Sequence, residues 1–221
     1  MPRIARVVFP GIPHHVTQRG NRNQKVFFSD EDRQEYLKLL LFHSRKANVQ
    51  IWAYCLMTNH VHVIAVPKTK EALTQSFQEA HRLYTRQINF REGWRGYLWQ
   101  GRYASFPMDE KYLIAAIRYV ERNPVEAGLV TKAEDYPWSS AKAHVYKLKD
   151  SLLSHCFLFE KIKDWSRFLS ASEELKKDEI EKSLRTGRPL GSDSFIEKLE
   201  VALHRNLKRK KPGPRKNLTK N

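Results

Sequence analysis

The sequence predicts an α+β fold, a ferredoxin-like antiparallel sheet with helices on one face, from three observations. Four short stretches read as extended chain, and the clearest of them alternate residues with a period of two. Three longer stretches carry apolar residues at the spacing of an amphipathic helix. The stretches follow one another in the order β-α-β-β-α-β-α, which is the split βαβ pattern. Helices on one face would leave the other sheet face free for a ligand.

The first strand and the first helix are predicted on either side of a polar loop. Residues 4–19 form an extended segment that Pro10 and Pro13 interrupt, because proline cannot donate to a strand ladder. The stretch SDED that begins at Ser29 is a helix capping signal. The helix continues to about residue 47 along a stripe formed by Tyr36, Leu39, Leu40 and His43.

The remaining elements of the sheet domain follow in close succession. Two strand-like runs separated by three residues predict a hairpin. Asp109 caps the last helix of this group, which Pro124 is expected to end. The predicted ranges are 49–56 and 60–67 for the hairpin strands, 69–90 for the second helix, 97–108 for the fourth strand and 110–123 for the third helix.

The composition predicts a polyanionic partner. The 221 residues include 40 Lys and Arg against 24 Asp and Glu, which gives a formal charge of +16. No apolar run is long enough to span a membrane, and the first residues lack the apolar core of a signal peptide, so we expect a cytoplasmic protein with no membrane partner. The two cysteines are far apart in the sequence, which indicates neither a disulfide framework nor a thiolate zinc site.

Changes in composition and in predicted secondary structure divide the chain into four regions. Residues 1–130 are the predicted sheet domain, and a turn-rich connecting segment spans 131–157. Residues 158–207 are predicted to be helical, and their helix, glycine-containing turn and helix could form a DNA-contacting helix-turn-helix or an ordinary helical hairpin. Residues 208–221 are rich in Lys, Arg and Pro, and we expect a disordered basic tail that contacts phosphates.

His60 and His62 are the first candidate functional residues. In a strand they point to the same face, because side chains alternate. They could be two hydrogen-bonded histidines on a half-exposed strand. Alternatively, they could be neutral imidazoles that bind a divalent metal and leave coordination positions open for a substrate phosphate. The second interpretation requires a third ligand and a reacting group.

The third predicted helix offers both groups. Tyr119 and Asn123 are four residues apart and therefore lie on one face of the helix, one turn from each other. The alternatives are a boundary tyrosine with its hydroxyl in water and an asparagine that ends the helix before Pro124.

These motifs together carry a family resemblance. The stretch NHVHVIAVP resembles the histidine motif of single-tyrosine HUH nucleases, and RYVERNPVEAGLV resembles the tyrosine helix of their transposase branch. From about residue 5 to residue 145 the chain is similar to the REP-associated tyrosine transposases, a prokaryotic family. Residues 186–192 are similar to an extension found in some members.

The resemblance implies a mechanism and a substrate. It implies that His60, His62 and Asn123 bind Mg²⁺ or Mn²⁺ and that Tyr119 is the nucleophile. It further implies cleavage and transfer of single-stranded DNA through a 5′-phosphotyrosine, a REP hairpin with a short guide sequence as the target, and a place near the nucleoid. The better-studied smallest transposases have glutamine where this chain has Asn123, which is shorter.

Cationic and aromatic residues are the candidate DNA contacts, because single-strand binding combines phosphate neutralisation with base stacking. The charges could equally form a solvated helix face, and the aromatics a layer of the core. The candidates are Arg19, Arg22, Lys25, Arg82, Arg86, Trp99, Arg102, Arg118, Arg122, Arg188, Lys208, Arg209, Lys210 and Lys211.

Two alternative functions share some of these features. One is a nucleic-acid-binding module without cleavage activity, because RNA-recognition domains also use a ferredoxin-like sheet. The other is a replication initiator or relaxase with the same chemistry. The sequence is compatible with either a monomer or a homodimer.

Overall fold

The computed structural model describes residues 4–171 and 177–208. The centre of the fold is a four-stranded antiparallel sheet in the order β2-β3-β1-β4. The strands are β1 His14–Arg19, β2 Val49–Met57, β3 His60–Pro67 and β4 Ala104–Pro107. The predicted ferredoxin-like βαββαβα order is therefore confirmed.

Eight α-helices lie in the described part of the chain. They are α1 Asp30–Lys46, α2 Glu79–Glu92, α3 Glu110–Glu126, α4 Ala141–Tyr146, α5 Leu158–Lys161, α6 Trp165–Ser170, α7 Lys177–Thr186 and α8 Asp193–Leu203. A wider helical turn, Thr74–Gln78, leads directly into α2. Among the described residues, no helix is sufficiently long and apolar to cross a membrane.

Side chains of β3 alternate between two hydrophobic cores. Val61, Val63 and Ala65 enter one core together with residues of α1 and α2, such as Tyr36 and Tyr84. Their neighbours Ile64 and Val66 enter the other core, where they meet α3. The expected helices on one face are therefore α1 and α2 alone, and α3 lies on the opposite face.

The second face of the sheet is covered rather than free. Helix α3 packs on it through Leu113, Ile117 and Val120, because this stripe needs an apolar surface. Trp165 and Ile180, from helices α6 and α7, enlarge the same core. The expectation that the second face is open to a ligand was wrong over the area that these helices cover.

A buried carboxylate connects α3 to the helices that follow it. Glu121 is 0% exposed and accepts hydrogen bonds from Ser140 Oγ at 2.5 Å and from Trp165 Nε1 at 2.7 Å. A buried charge with this many donors is costly to leave unpaired. The network therefore fixes the position of α3, the helix that carries Tyr119, relative to α6.

Two proline positions differ from the expectations. Regular strand pairing in β1 begins only at His14, because Pro10, Gly11 with φ +74° and Pro13 produce a turn before it. Helix α3 passes through Pro124 and ends at Glu126. Proline is accommodated there because it removes only one hydrogen bond, in the last turn of the helix.

Candidate active site

His60 and His62 lie at the start of β3, on the face that α3 covers. Their ring centroids are 4.9 Å apart. His62 is 3% exposed, and it is paired in register with Thr17 of β1 and Cys55 of β2. The predicted alternation therefore does bring the two imidazoles together at one end of the sheet.

The ring of His60 is held by its neighbour in the hairpin turn. His60 Nδ1 donates to Asn59 Oδ1 at 2.6 Å, so the proton is on Nδ1 and Nε2 keeps its lone pair. The pKa of His60 is lowered to about 4. Burial is the largest cause and the charge of Arg19 adds to it, while the side chain of Asn123 acts in the opposite direction. His60 is consequently neutral near pH 7.

His62 is held by a third histidine, which the sequence reasoning missed. His15 Nε2 lies 2.8 Å from His62 Nδ1. Burial lowers the pKa of His62 well below its usual value, and the nearby His15 and His60 rings add to this effect. Burial also lowers the pKa of His15 to about 3. In the sequence, the only indication of this role is that His15 lies two residues before Thr17 in β1. It therefore faces the same side of the sheet as Thr17, the strand partner of His62.

Tyr119 lies beside the histidines. Its ring centroid is 5.6 Å from that of His62 and 5.9 Å from that of His15. Burial raises its pKa, and the charge of Glu181 contributes to the increase, whereas a hydrogen bond with the side chain of Asn123 lowers it. The phenol is therefore protonated near pH 7 and has to lose its proton in order to act as a nucleophile.

Asn123 lies between Tyr119 and His60. Its Nδ2 donates to the Tyr119 carbonyl oxygen at 3.0 Å, one turn earlier in α3. Its side chain is also close enough to His60 and Tyr119 to raise the pKa of the first and lower the pKa of the second. Asn123 does not end the helix, because the C-cap is Ala127. The structure thus brings the three predicted site groups into one neighbourhood.

An open cavity of about 410 Å³ lies in front of Tyr119 and His62. Arg19 at the end of β1 and Arg102 before β4 line it, and Glu181 and Arg185 of α7 line it as well. Neither Glu181 nor Arg185 was a candidate in the sequence, because nothing there indicates that α7 packs beside β4. Three guanidinium groups and one carboxylate make the cavity suitable for an anion.

A glycine brings the loop after β1 against the histidine hairpin. Gly20 N donates to Asn59 O at 2.8 Å, and Asn59 Nδ2 donates to the carbonyl oxygen of Asn23 at 3.1 Å. An added Cβ at Gly20 would lie 2.2 Å from the backbone oxygen of Gln24. The loop therefore has no space for a side chain at this position.

The residues present fit a divalent metal through their chemistry. His60 and His62 are neutral, and the hydrogen bond of His60 leaves its Nε2 as a ligand atom. Asn123 offers an amide oxygen next to them. Within residues 4–171 and 177–208, no group of three or more His, Cys, Asp and Glu side chains could hold a metal. A site here would have two histidines and an amide, with the remaining positions open to water or phosphate.

Seven of the DNA-contact candidates in the described residues are exposed, and six of these lie in the predicted sheet domain. Arg19 and Arg102 border the cavity. Arg19 donates to Asn23 Oδ1 at 3.4 Å, and Arg102 has no ion pair with a described carboxylate. The other four lie in the loop after β1 and on α2: Arg22, Lys25, Arg82 and Arg86. Arg82 is ion-paired with Glu79.

The other candidates are buried or engaged elsewhere. Trp99 is 5% exposed and packs in the core of α1 and α2, and Arg118 is 6% exposed with its guanidinium against Phe168. Three more form bonds within the protein: Arg122 to the Leu169 carbonyl and Glu126, Arg188 to the carbonyl oxygens of Leu207 and Lys208, and Lys208 to Glu197. Arg209, Lys210 and Lys211 lie outside the described residues.

Comparisons with known proteins show what the whole chain is similar to. The profile of the IS200-like transposase family matches residues 9–123. The structure of a REP-associated tyrosine transposase bound to a REP hairpin matches with a TM-score of 0.57 and 19% sequence identity, over 71% of this chain and 93% of that chain. A structure assigned as a transposase, from Deinococcus radiodurans, matches with a TM-score of 0.39 and 16% identity, over 54% of this chain and 96% of that one. Among curated proteins, none matches this chain.

Proposed function

Because this chain belongs to the family of IS200-like transposases, we propose that it is a metal-dependent single-stranded DNA endonuclease and strand transferase. The proposed substrate is a REP-type hairpin, and the proposed intermediate is a covalent 5′-phosphotyrosine. The observation that carries the proposal is the convergence of Tyr119 and His62 at one cavity, with Asn123 one helical turn from Tyr119. A prokaryotic cytoplasm, near the nucleoid, is the corresponding location.

Tyr119 is the proposed nucleophile. Its Oη forms a bond to the scissile phosphorus, and the bond from phosphorus to the 3′ oxygen breaks. The phenolic proton leaves to water in the cavity. The products are a 5′-phosphotyrosine and a free 3′ hydroxyl. Attack by another 3′ hydroxyl reverses these bond changes and joins DNA without ATP.

His60, His62 and Asn123 are the proposed ligands of Mg²⁺ or Mn²⁺. The ion would polarise the scissile phosphate and stabilise the departing oxygen. Asn59 and His15 orient the two imidazoles, which reduces the cost of assembling the site. Asn123 has the further task of orienting the Tyr119 hydroxyl.

Arg19, Arg102 and Arg185 are the proposed phosphate contacts at the cavity. Their charge favours a polyanionic strand, and the overall charge of +16 would accelerate its association. A hairpin is the preferred substrate class because a relative with the same fold has been determined with a REP hairpin bound. The basic residues of the loop after β1 extend this surface in the proposal, and the lysines and arginines of the C-terminal sequence are further proposed DNA contacts.

The test is a denaturing gel with labelled single-stranded hairpin DNA and Mn²⁺, followed by mass spectrometry of any adduct. We expect a covalent adduct at Tyr119 and a released strand with a 3′ hydroxyl. Tyr119→Phe should abolish both, whereas Tyr146→Phe, at an exposed position outside the cavity, should retain them. Cleavage by Tyr119→Phe would contradict the proposed nucleophile.

A binding module without cleavage is the first alternative, and the covering of the sheet argues against it. An RNA-recognition domain stacks bases on an open sheet face. Here α3 covers that face, and Phe106 of β4 is fully buried. The gel assay separates the two functions, because a binder forms no adduct.

A replication initiator or relaxase with the same chemistry is the second alternative. Strand transfer to a second hairpin distinguishes a transposase from these enzymes. A mixture of Tyr119→Phe and His62→Ala proteins tests subunit composition: activity of the mixture would indicate a dimer that uses the tyrosine of one subunit with the histidines of the other.

A further inference from the structure

A second cavity lies next to the cavity in front of Tyr119 and His62. Its volume is about 420 Å³, within the range of about 300–1,000 Å³ that is typical of small-molecule sites. Gln18 and Arg102 line both cavities, so the two are neighbours. Gln18 Nε2 donates to Gly101 O at 2.7 Å, which fixes the loop between them.

Aromatic side chains form the walls of the second cavity. Tyr97 is 84% exposed and therefore offers a flat ring to a ligand, while Trp99 and Tyr103 are buried and form the inner wall. The guanidinium of Arg6 stacks on the Tyr103 ring at 3.6 Å. Arg82 and Arg102 also line the cavity. Flat apolar walls with a cationic rim fit a base attached to a phosphate backbone.

His81 adds a directional hydrogen-bond donor. It is 6% exposed and lines this cavity, and its Nε2 lies 2.9 Å from the hydroxyl of Tyr36. The Tyr36 hydroxyl is fully buried and has no other described partner, so it donates to Nε2 to avoid an unsatisfied donor. Burial lowers the pKa of His81 to about 3, so the ring is neutral. The proton of a neutral ring is then on Nδ1.

Nδ1 of His81 is the ring atom that remains for a ligand. It has no hydrogen-bond partner among the described residues, and the protein does not enclose it completely. An N–H group in an aromatic cavity matches the acceptors at the edges of nucleobases, such as purine N7 or a pyrimidine carbonyl oxygen.

We propose that the cavity formed by Tyr97, Trp99, Tyr103 and His81 binds one unpaired nucleobase of the strand that reacts at Tyr119. The inference rests on the proposed function and adds to it a specific base site next to the cleavage position. Tyr97 stacks on the base, and His81 Nδ1 donates to it. Arg102, at the boundary of the two cavities, contacts the phosphate between this base and the scissile bond.

The test measures equilibrium binding of stem-loop DNA with short single-stranded arms of mixed sequence, with a chelator present so that no cleavage occurs. The base is removed at one arm position at a time. We expect one position at which the abasic strand binds about 5-fold to 150-fold more weakly, as expected for the loss of one aromatic stack.

Tyr97→Ala should weaken binding of the complete strand and eliminate the effect of the abasic position. Phe90→Ala is the matched control, because Phe90 is an aromatic residue that is 91% exposed and outside the cavity. It should leave the abasic effect unchanged. An abasic effect that persists in Tyr97→Ala, or that occurs at no position, would overturn the proposal, as would the absence of any binding.

A nonpolar base isostere at the sensitive position tests His81 in the wild-type protein. It should bind between the natural base and the abasic strand, because it stacks but cannot accept a hydrogen bond. Equal binding of the isostere and the natural base would overturn the role of His81. Loss of cleavage in the gel assay with these binding effects intact would overturn only the proposed function.

Discussion

Replacing His15 tests whether it positions His62 as a metal ligand. If a metal binds His62 through Nε2, the proton of that ring is fixed on Nδ1, which then donates to His15 Nε2 across the observed 2.8 Å. His15→Phe removes the acceptor from a fully buried position. In the metal-free protein the proton can move to Nε2, towards the cavity, so the variant is penalised mainly in its metal-bound form.

The size of the effect follows from the buried bond. An unsatisfied buried N–H costs about 1–3 kcal/mol. Since the cost is confined to the bound state, Mn²⁺ affinity should decrease about 5-fold to 150-fold, which agrees with the roughly 10-fold to 100-fold effects of residues that support metal ligands. His15→Gln should restore much of the affinity, because its carboxamide oxygen can accept the same bond.

Titration calorimetry with Mn²⁺ measures the affinity directly, without cleavage. The matched control is His14→Gln. His14 is also fully buried, but it is the neighbouring residue with opposite side-chain phase, and its bonds are to the Phe9 and Ile12 backbone. Unchanged affinity in His15→Phe, or an equal loss in His14→Gln, would refute a positioning role for His15.

Three further predictions concern pH, the buried carboxylate and the charge of the cavity. The pKa of His81 is about 3 in the folded protein and about 6.5 when unfolded, so the unfolded chain binds more protons between these values and stability falls as pH decreases below about 6.5. We expect His81→Gln to reduce the loss of unfolding free energy between pH 7 and pH 5 by about 2 kcal/mol in urea titrations; an unchanged pH dependence would contradict this. Glu121→Ala should reduce the unfolding free energy by about 3–5 kcal/mol, because it leaves the buried Trp165 Nε1 and the buried His144 ring without the carboxylate that they contact, and a reduction below about 1 kcal/mol would show that the network is dispensable. Glu181→Gln removes a charge that raises the pKa of Tyr119, so single-strand affinity should increase and the pH profile of cleavage should move to lower pH. Glu35→Gln, an exposed substitution on α1, should do neither.

The elements that could be predicted from the sequence have local causes. The phase of His60 and His62 follows from the two-residue period of a strand, and the common face of Tyr119 and Asn123 follows from the helical repeat. The βαββαβα order follows from the succession of the two periods. None of these inferences requires knowledge of which elements pack together.

The parts that could not be predicted depend on contacts between distant residues. His15 reaches His62 through strand pairing across 47 positions, and Glu181 reaches the cavity because α7 packs at β4. The stripe of α3 fits either sheet face, so periodicity could not reveal that it covers the second one. Arg118 is of a residue type that contacts nucleic acids, but it is buried, and Trp99 is buried except where it lines the second cavity.

A substitution at Gly20 would affect the proposed site although the residue has no side chain. Its backbone adopts φ −60°, which any amino acid could adopt, so the restriction is one of space and not of conformation. A methyl group there would push the turn away from Asn59 and so release the ring of His60. The proposed activity is thus vulnerable at a position with no functional group, and one added carbon there could abolish it while every proposed reactive side chain stays in the sequence.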